Sequence, residues 1–288
     1  QRHSRGFMDR VTGLLVFGDS LSDVGNAHAL RGDAAFPCPP HWQGRRCNGP
    51  LWVELLAEGL GLPPLVHSGA GGRDYAFGGA RSGEGLSPKG VPNLLTQVEG
   101  FLSAGGSAEP GCLVVLRAGA NDYLDAPPTP AVGDRVNQHL IEAVERLSAR
   151  GLRQFLVPSE LPWGHSPIQL PGLGERERHG LNGLIARQNA ELRKELEALA
   201  ARWELTVAQP DAHALFLAVR AAPAAHGFTE IERPALANEP AREPVDAAGH
   251  LWWDPWAHLT SAFHRCLAVQ ALGSAADLRR SGVTPSSL

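Results

Sequence analysis

The chain has 288 residues, 43% hydrophobic and 19% charged, which is enough apolar material for a sizeable core. A net charge of −4 offers no basic field for a phosphate backbone, so nucleic acid is excluded as an expected partner. No apolar run approaches the ~20 residues that would span a bilayer, and the 33 glycines and 23 prolines have no period, which excludes collagen-like and low-complexity chains.

Met8 is the only methionine, and residues 1–10 are set aside as a leader or cloning remnant, leaving 11–288 as one expected domain. A strand pattern follows Met8 directly and leaves no room for a secretory apolar segment. A cytoplasmic location is therefore expected, with a secreted or periplasmic one behind a removed signal as the alternative. Leu14–Phe17 reads as a short buried strand entering Gly18-Asp19-Ser20. Leu51–Leu60 suits a helix after the Gly49-Pro50 breaker, and Pro64–His67 is a weak strand. Asn93–Ala104 reads as a helix with Asn93 as its N-cap. Cys112–Arg117 is the clearest buried strand. Val132, Val136, Leu140, Val144 and Leu147 then recur every three or four residues, as on one apolar helix face. Arg153–Val157 is strand-like, Leu181–Trp203 a long helix, Leu205–Ala208 a fifth strand, and a last helix is expected from about Pro255 to Leu272. Residues 222–249, rich in Pro and Ala, read as a surface loop.

Five short apolar strands alternating with helices predict a central five-stranded parallel sheet in a three-layer α/β/α sandwich. Ligands of such sheets bind beyond the carboxyl ends of the strands. Gly18–Ser20 and Gly119–Asp122 follow the first and third strands, where functional residues belong. The four cysteines include no CxxC pair, so a zinc ribbon is not indicated. Cys112 and Cys266 read as buried thiols, whereas Cys38 and Cys47 share a Pro-rich loop, and whether they bridge is left open.

Ser20, just after a buried strand, is either an exposed nucleophile or part of a Ser/Asp-rich turn that caps the next helix. A P-loop is excluded because no GxxxxGK[ST] follows a strand, and no Ser has the two flanking glycines of the GxSxG elbow. The stretch Phe17-Gly18-Asp19-Ser20-Leu21-Ser22-Asp23, followed by Asp74-Tyr75-Ala76-Phe77-Gly78-Gly79-Ala80, Gly119-Ala120-Asn121-Asp122 and Trp253-Asp254-Pro255-Trp256-Ala257-His258, resembles the motif set of the GDSL, or SGNH, serine esterases and lipases, in family order. Gly44-Arg45-Arg46-Cys47-Asn48-Gly49-Pro50-Leu51-Trp52 is similar to a segment of the plant-type and bacterial lipolytic branch. So are Leu161-Pro162, Asn182, Asn189, and Pro223 with His226-Gly227-Phe228. The resemblance covers about Leu14 to Leu272.

The resemblance implies a serine esterase acting on short- to medium-chain carboxylic esters. Ser20 would be the nucleophile, His258 its general base and Asp254 the partner of His258. The oxyanion hole would comprise the backbone N–H groups of Ser20 and Gly79 with the Asn121 amide. No cofactor or metal is needed for this route, and the expected partner is a small-molecule ester. A carbohydrate acetylesterase, with tryptophans as a stacking platform, and an acyltransferase are alternatives on the same site. A non-catalytic binding protein on the same scaffold is the alternative of another class.

One feature departs from the family pattern: the family spaces its terminal block Asp-x-x-His, usually before Pro-Thr, whereas here it is Asp254-x-x-x-His258 before Leu259-Thr260. Asp254 before Pro255 also has the form of an N-cap with Pro at the first helical position. Asp246 and His250, with the same spacing, are rivals for the roles of Asp254 and His258. His264 reads as structural, Asp122 as a loop brace, and Asp19 and Asp23 as turn-fixing acceptors. Trp42, Trp252, Trp253 and Trp256 either line a pocket or pack.

Overall fold

The computed structural model describes residues 11–33, 37–107, 109–237 and 242–280; the segment 1–10 set aside above lies outside them. In chain order the elements are β1 (Gly13–Gly18), α1 (Asn26–Arg31), α2 (Trp52–Gly59), α3 (Leu94–Ser103), β2 (Cys112–Arg117), α4 (Ala120–Leu124), α5 (Pro130–Ser148), β3 (Gln154–Leu156), α6 (Glu175–Trp203), β4 (Thr206–Ala208), α7 (Ala212–Ala221) and α8 (Ser261–Arg280), with short 3-10 turns between some of them. All strand pairings are parallel, in the order β1-β2-β3-β4. β1 and β2 pair over their whole lengths, from Gly13 opposite Cys112 to Gly18 opposite Arg117. The two strands therefore end level and release their loops side by side.

Side chains alternate across the sheet, as the two-residue period of a strand requires. Leu14, Val16, Leu113, Val115 and Leu156 face a core built with α2, α7, α8 and the start of α6. Leu15, Phe17, Val114, Leu116 and Phe155 face α3, α5 and the C-terminal half of α6. The result is a three-layer α/β/α sandwich, in which each fully buried Leu, Val or Phe contributes roughly 1.5–3 kcal/mol.

The sheet has four strands among the described residues, not five. The expected strand at Pro64–His67 makes only an isolated bridge, His67 to Asp74. Pro63 and Pro64 have no N–H to give a ladder, and residues 73–77 take the free edge of β1 instead. Val16 N–H bonds to Arg73 O, Tyr75 N–H to Val16 O, and Phe77 N–H to Gly18 O. This edge delivers Gly78 and Gly79 beside the end of β1.

Three helix expectations also change. Asn93 precedes α3, but its side chain does not cap it: Oδ1 accepts from Arg81 N–H and Nδ2 donates to Glu84 O, fixing the preceding loop. The long helix starts at Glu175, six residues before Leu181. The last helix starts at Ser261 rather than Pro255, because Trp253 N–H bonds to His258 O and a bridge joins Trp252 to Leu259, folding 253–258 into a closed turn. Segment 222–249 is held down where it is described. Phe228 is buried, and the N–H groups of Ala235 and Leu236 bond to the carbonyls of Trp252 and Trp253.

Candidate active site

Ser20 stands in the turn that follows β1. Asp19, buried beside it, shapes that turn: Oδ1 accepts from Leu21 N–H at 3.0 Å and the Asp19 carbonyl accepts from Ser22 N–H. The Asp19 carboxylate also receives Arg117 Nη1 at 3.2 and 3.1 Å, and Arg117 Nη2 donates to Glu160 Oε1 at 2.6 Å. A guanidinium at the end of β2 thus ties the Ser20 turn to the loop after β3. From the other core, Gln97 of α3 clamps Gly18, accepting from its N–H and donating to its carbonyl at 2.9 Å each.

Asp23 joins the Ser20 loop to the Gly79 loop. Its buried carboxylate accepts from the N–H groups of Gly25, Asn26 and Ala27 and, 55 residues away, from Gly78 N–H at 2.7 Å. Burial pushes this carboxyl up, against the four N–H donors that stabilise its anion. Gly79 has φ +90°, and a Cβ there would lie 2.8 Å from Lys89 Cγ, so glycine is required on both counts. Asn121, in the first turn of α4, donates from Nδ2 to Ala80 O at 2.8 Å. That bond fixes the amide plane and leaves its second hydrogen for a ligand. Among the described residues, neither Ser20 N–H nor Gly79 N–H has another protein acceptor.

His258 Nε2 lies 3.0 Å from Ser20 Oγ, and its Nδ1 lies 2.9 and 2.7 Å from Asp254 Oδ1 and Oδ2. Asp254 is fully buried, and Oδ1 also accepts from the N–H groups of Trp256 and His258. Its carboxylate therefore braces the turn and orients the ring at once. Burial pushes the Asp254 carboxyl up, but the charge and hydrogen bond of His258, together with the Arg46 guanidinium, hold it below the usual carboxylate range. Within Asp254-x-x-x-His258, Ala257 takes φ +72° in the left-handed region.

The segment 44–52 fastens this turn and the start of α8. Asn48 Oδ1 accepts from Ser261 N–H, Ser261 Oγ donates to Pro50 O, and His264 Nδ1 accepts from Trp52 N–H. Arg45 pairs with Glu54 at 2.5 Å. His264 is buried, and desolvation, then the charges of Arg117 and His258, push it down to about 3.

Asp246 and His250 are not brought to Ser20: Asp246 accepts from Ala248 N–H, and His250 Nδ1 lies beside Ala248 O. Asp122 holds Ser82 through its N–H and hydroxyl at 3.0 and 2.7 Å. Trp252 and Trp253 are fully buried packing, and of the four singled-out tryptophans only Trp256, 47% exposed, lines the cavity over Ser20. No disulfide joins the four cysteines, so Cys38 and Cys47 do not bridge. His28, Asp33 and Cys38 place ligand-type atoms within 4.8 Å of one another, which their spacing did not suggest. Arg117, Glu160 and Gln97 support the site from outside the motifs, although an Arg ending the apolar run Cys112–Leu116 is a signal that sequence alone offers.

A cavity of about 960 Å³ opens over Ser20 and His258, lined also by Gly79 and Asn121. A hydroxyl, an imidazole and a carboxylate in series, at the carboxyl edge of a parallel sheet, describe a hydrolase centre on an α/β/α scaffold. The model of the GDSL-like lipase/acylhydrolase family matches residues 14–270, and the chain belongs to this family, whose members act on ester bonds. It is 31% identical over 165 residues to phosphatidylcholine-sterol acyltransferase of Aeromonas hydrophila, a match covering 56% of this chain and 45% of that one. It is 26% identical over 289 residues to the thermolabile hemolysin of Vibrio parahaemolyticus, covering 94% of this chain and 65% of that one. The chain thus spans about half to two thirds of the length of these curated relatives. Among solved structures, a lipolytic G-D-S-L family protein from Veillonella parvula aligns at a TM-score of 0.48 with 16% identity, over 91% of this chain and 97% of that one. No helix among the described residues is long and apolar enough to cross a membrane.

Proposed function

We propose that the chain hydrolyses short- to medium-chain carboxylic esters through an acyl-Ser20 intermediate. The observation that carries this reading is the 3.0 Å approach of Ser20 Oγ to His258 Nε2. A serine hydroxyl is a weak nucleophile until an adjacent base accepts its proton. In this mechanism Ser20 Oγ attacks the carbonyl carbon as its proton passes to His258 Nε2. The resulting oxyanion is received by Ser20 N–H, Gly79 N–H and Asn121 Nδ2, and Asp254 stabilises the imidazolium. Collapse breaks the bond to the alcohol oxygen, which takes the proton from His258. Water, deprotonated by the same ring, then attacks the acyl-enzyme, releasing the acid and restoring Ser20.

The test uses 4-nitrophenyl acetate, butyrate and octanoate with the wild type and Ser20→Ala. Hydrolysis is expected to vanish into background in the variant, with a pre-steady-state burst in the wild type if deacylation limits turnover. Equal rates in both proteins would exclude Ser20. The chain-length profile separates an acetylesterase from an enzyme of longer acyl groups.

The likeness to an acyltransferase favours a second reading, capture of the acyl group by an alcohol in place of water. Adding an alcohol acceptor and measuring ester against free acid in the products decides between them. The stacking platform of a carbohydrate acetylesterase has weaker support, because two of its four candidate tryptophans are buried.

A further inference from the structure

At the end of α1 the chain turns back on itself. Gly32 N–H bonds to His28 O at 2.8 Å, and Asp33 returns to the His28 ring, its Oδ1 3.1 Å from Nε2. The same Oδ1 accepts from Cys38 N–H at 3.3 Å, which sets the loop 37–47 against α1. Gly44 of that loop packs on His28: a Cβ there would stand 3.2 Å from the His28 Cβ, and the Gly44 N–H donates to Cys38 Sγ at 3.2 Å. An N–H aimed at sulfur favours the thiolate, which is the form that binds a metal. An imidazole nitrogen, a carboxylate oxygen and a thiol sulfur thus lie within 4.8 Å of one another, the one such group among the described residues.

The donor set selects among cations. Calcium and magnesium take oxygen ligands, whereas imidazole and thiolate together suit zinc. A tetrahedral zinc ion about 2.1 Å from nitrogen and oxygen and about 2.3 Å from sulfur holds the first two about 3.4 Å apart, and the sulfur about 3.6 Å from each. The His28–Asp33 pair already stands at 3.1 Å, and from 4.8 Å the sulfur has to close by little more than about 1 Å. The side chains of His28 and Asp33 are 31% and 52% exposed, so small rotations meet no packed core. Arg242 Nη1, 3.8 Å from Asp33 Oδ2, opposes a cation there, but it is 66% exposed and such surface pairs hold weakly.

We propose that His28, Asp33 and Cys38 form a zinc site that clasps α1 to the loop 37–47, with the fourth position left to water. As zinc bonds to sulfur the thiol proton leaves to solvent, with no change of oxidation state. The His28 Nε2 lone pair binds the ion in place of the hydrogen bond to Asp33. Arg31, Pro37 and Gly44, from the two parts so joined, line the cavity over Ser20, so the ion fixes one of its walls. Its role is structural, and the proton passing between Ser20 and His258 does not involve it.

To test the site, the protein is stripped with a chelator, kept reduced, and titrated with zinc chloride against a chromophoric competitor. Saturation at one ion per chain is expected, with a dissociation constant of about 10 µM or tighter. Cys38→Ser, His28→Gln and Asp33→Asn should each weaken binding at least about tenfold. Cobalt(II) in place of zinc should give a thiolate-to-metal charge-transfer band that Cys38→Ser abolishes, which separates Cys38 from the other three cysteines. A saturating excess of zinc should raise the wild-type melting temperature by about 4 °C or more and leave that of Cys38→Ser unmoved. Should Cys38→Ser fail to fold, Asp33→Asn, at a half-exposed side chain, carries the comparison. Binding weaker than about 10 µM, binding equal to wild type in all three variants, or cobalt bound without the thiolate band overturns the site. Every readout is made without an ester, so the fate of the serine-esterase reading leaves this result standing.

Discussion

Both carboxylate oxygens of Asp254 lie within hydrogen-bond reach of His258 Nδ1, at 2.9 and 2.7 Å, while Nε2 of the same ring lies 3.0 Å from Ser20 Oγ. A neutral imidazole has one N–H and one lone pair, so a carboxylate at Nδ1 keeps the hydrogen there and leaves Nε2 to accept from the hydroxyl.

Asp254→Asn keeps an oxygen for the N–H groups of Trp256 and His258 but no longer selects the tautomer. We expect kcat to fall by about 10⁴ with the fold intact. Steady-state kinetics on a 4-nitrophenyl ester, with thermal melting as a control, measure this. A loss of less than about tenfold would mean that Asp254 serves the turn alone.

Asn121→Ala removes an oxyanion donor and the bond to Ala80 O. The expected loss is about 10²–10³ in kcat with KM little changed. A change confined to KM would contradict a role in the transition state.

Arg117→Met deletes the cation between Asp19 and Glu160, whose side chains are 1% and 3% exposed. Two carboxylates then remain buried without it, and breaking a buried pair typically costs about 3–5 kcal/mol. Urea denaturation should show a loss of that order. If the variant is as stable as the wild type, the bridge does not hold the Ser20 turn.

How much of this was readable in advance follows from which interactions are local. The β1 and β2 runs and the apolar face of α5 are written in short-range periodicity, and the structure forms all three. The failed strand at Pro64–His67 and the late start of α8 depend on what the rest of the chain offers. Residues 73–77 occupy the sheet edge, and Trp253 closes onto His258. Ser20, Gly79, Asn121 and His258 lie in recognisable motifs, and the structure brings all four to one cavity. Arg117 and Glu160 lie outside any motif. Their pairing, across 43 residues, exists only once the loops after β2 and β3 stand side by side.

Acid should unfold the protein in a window set by buried histidines. His264 and His41 are pushed down to about 3, in each case first by burial. An unfolded histidine titrates near 6.5, so between about 6.5 and 3 the unfolded chain binds protons that the folded one refuses. The contribution of these two histidines is complete above that window and falls through it by up to about 1.4 kcal/mol per pH unit for each, while the buried carboxyls of Asp23, Asp74 and Glu160, pushed up by burial, act in the opposite direction as they protonate. Asp254, with its depressed carboxyl, adds a loss only below the ordinary carboxylate value. Chemical denaturation across pH should show this slope, reduced in His264→Asn. An unchanged slope in that variant would remove His264 from the account.

Ser20 and His258 are separated by 238 residues. A polypeptide still emerging from the ribosome therefore carries its hydroxyl long before the His258 imidazole arrives to activate it. Chemical competence is withheld until synthesis has passed residue 258 and the opening strand has been joined by the closing turn. Turnover of a chromogenic ester can thus report, in a single reading, that both extremities of the fold have met.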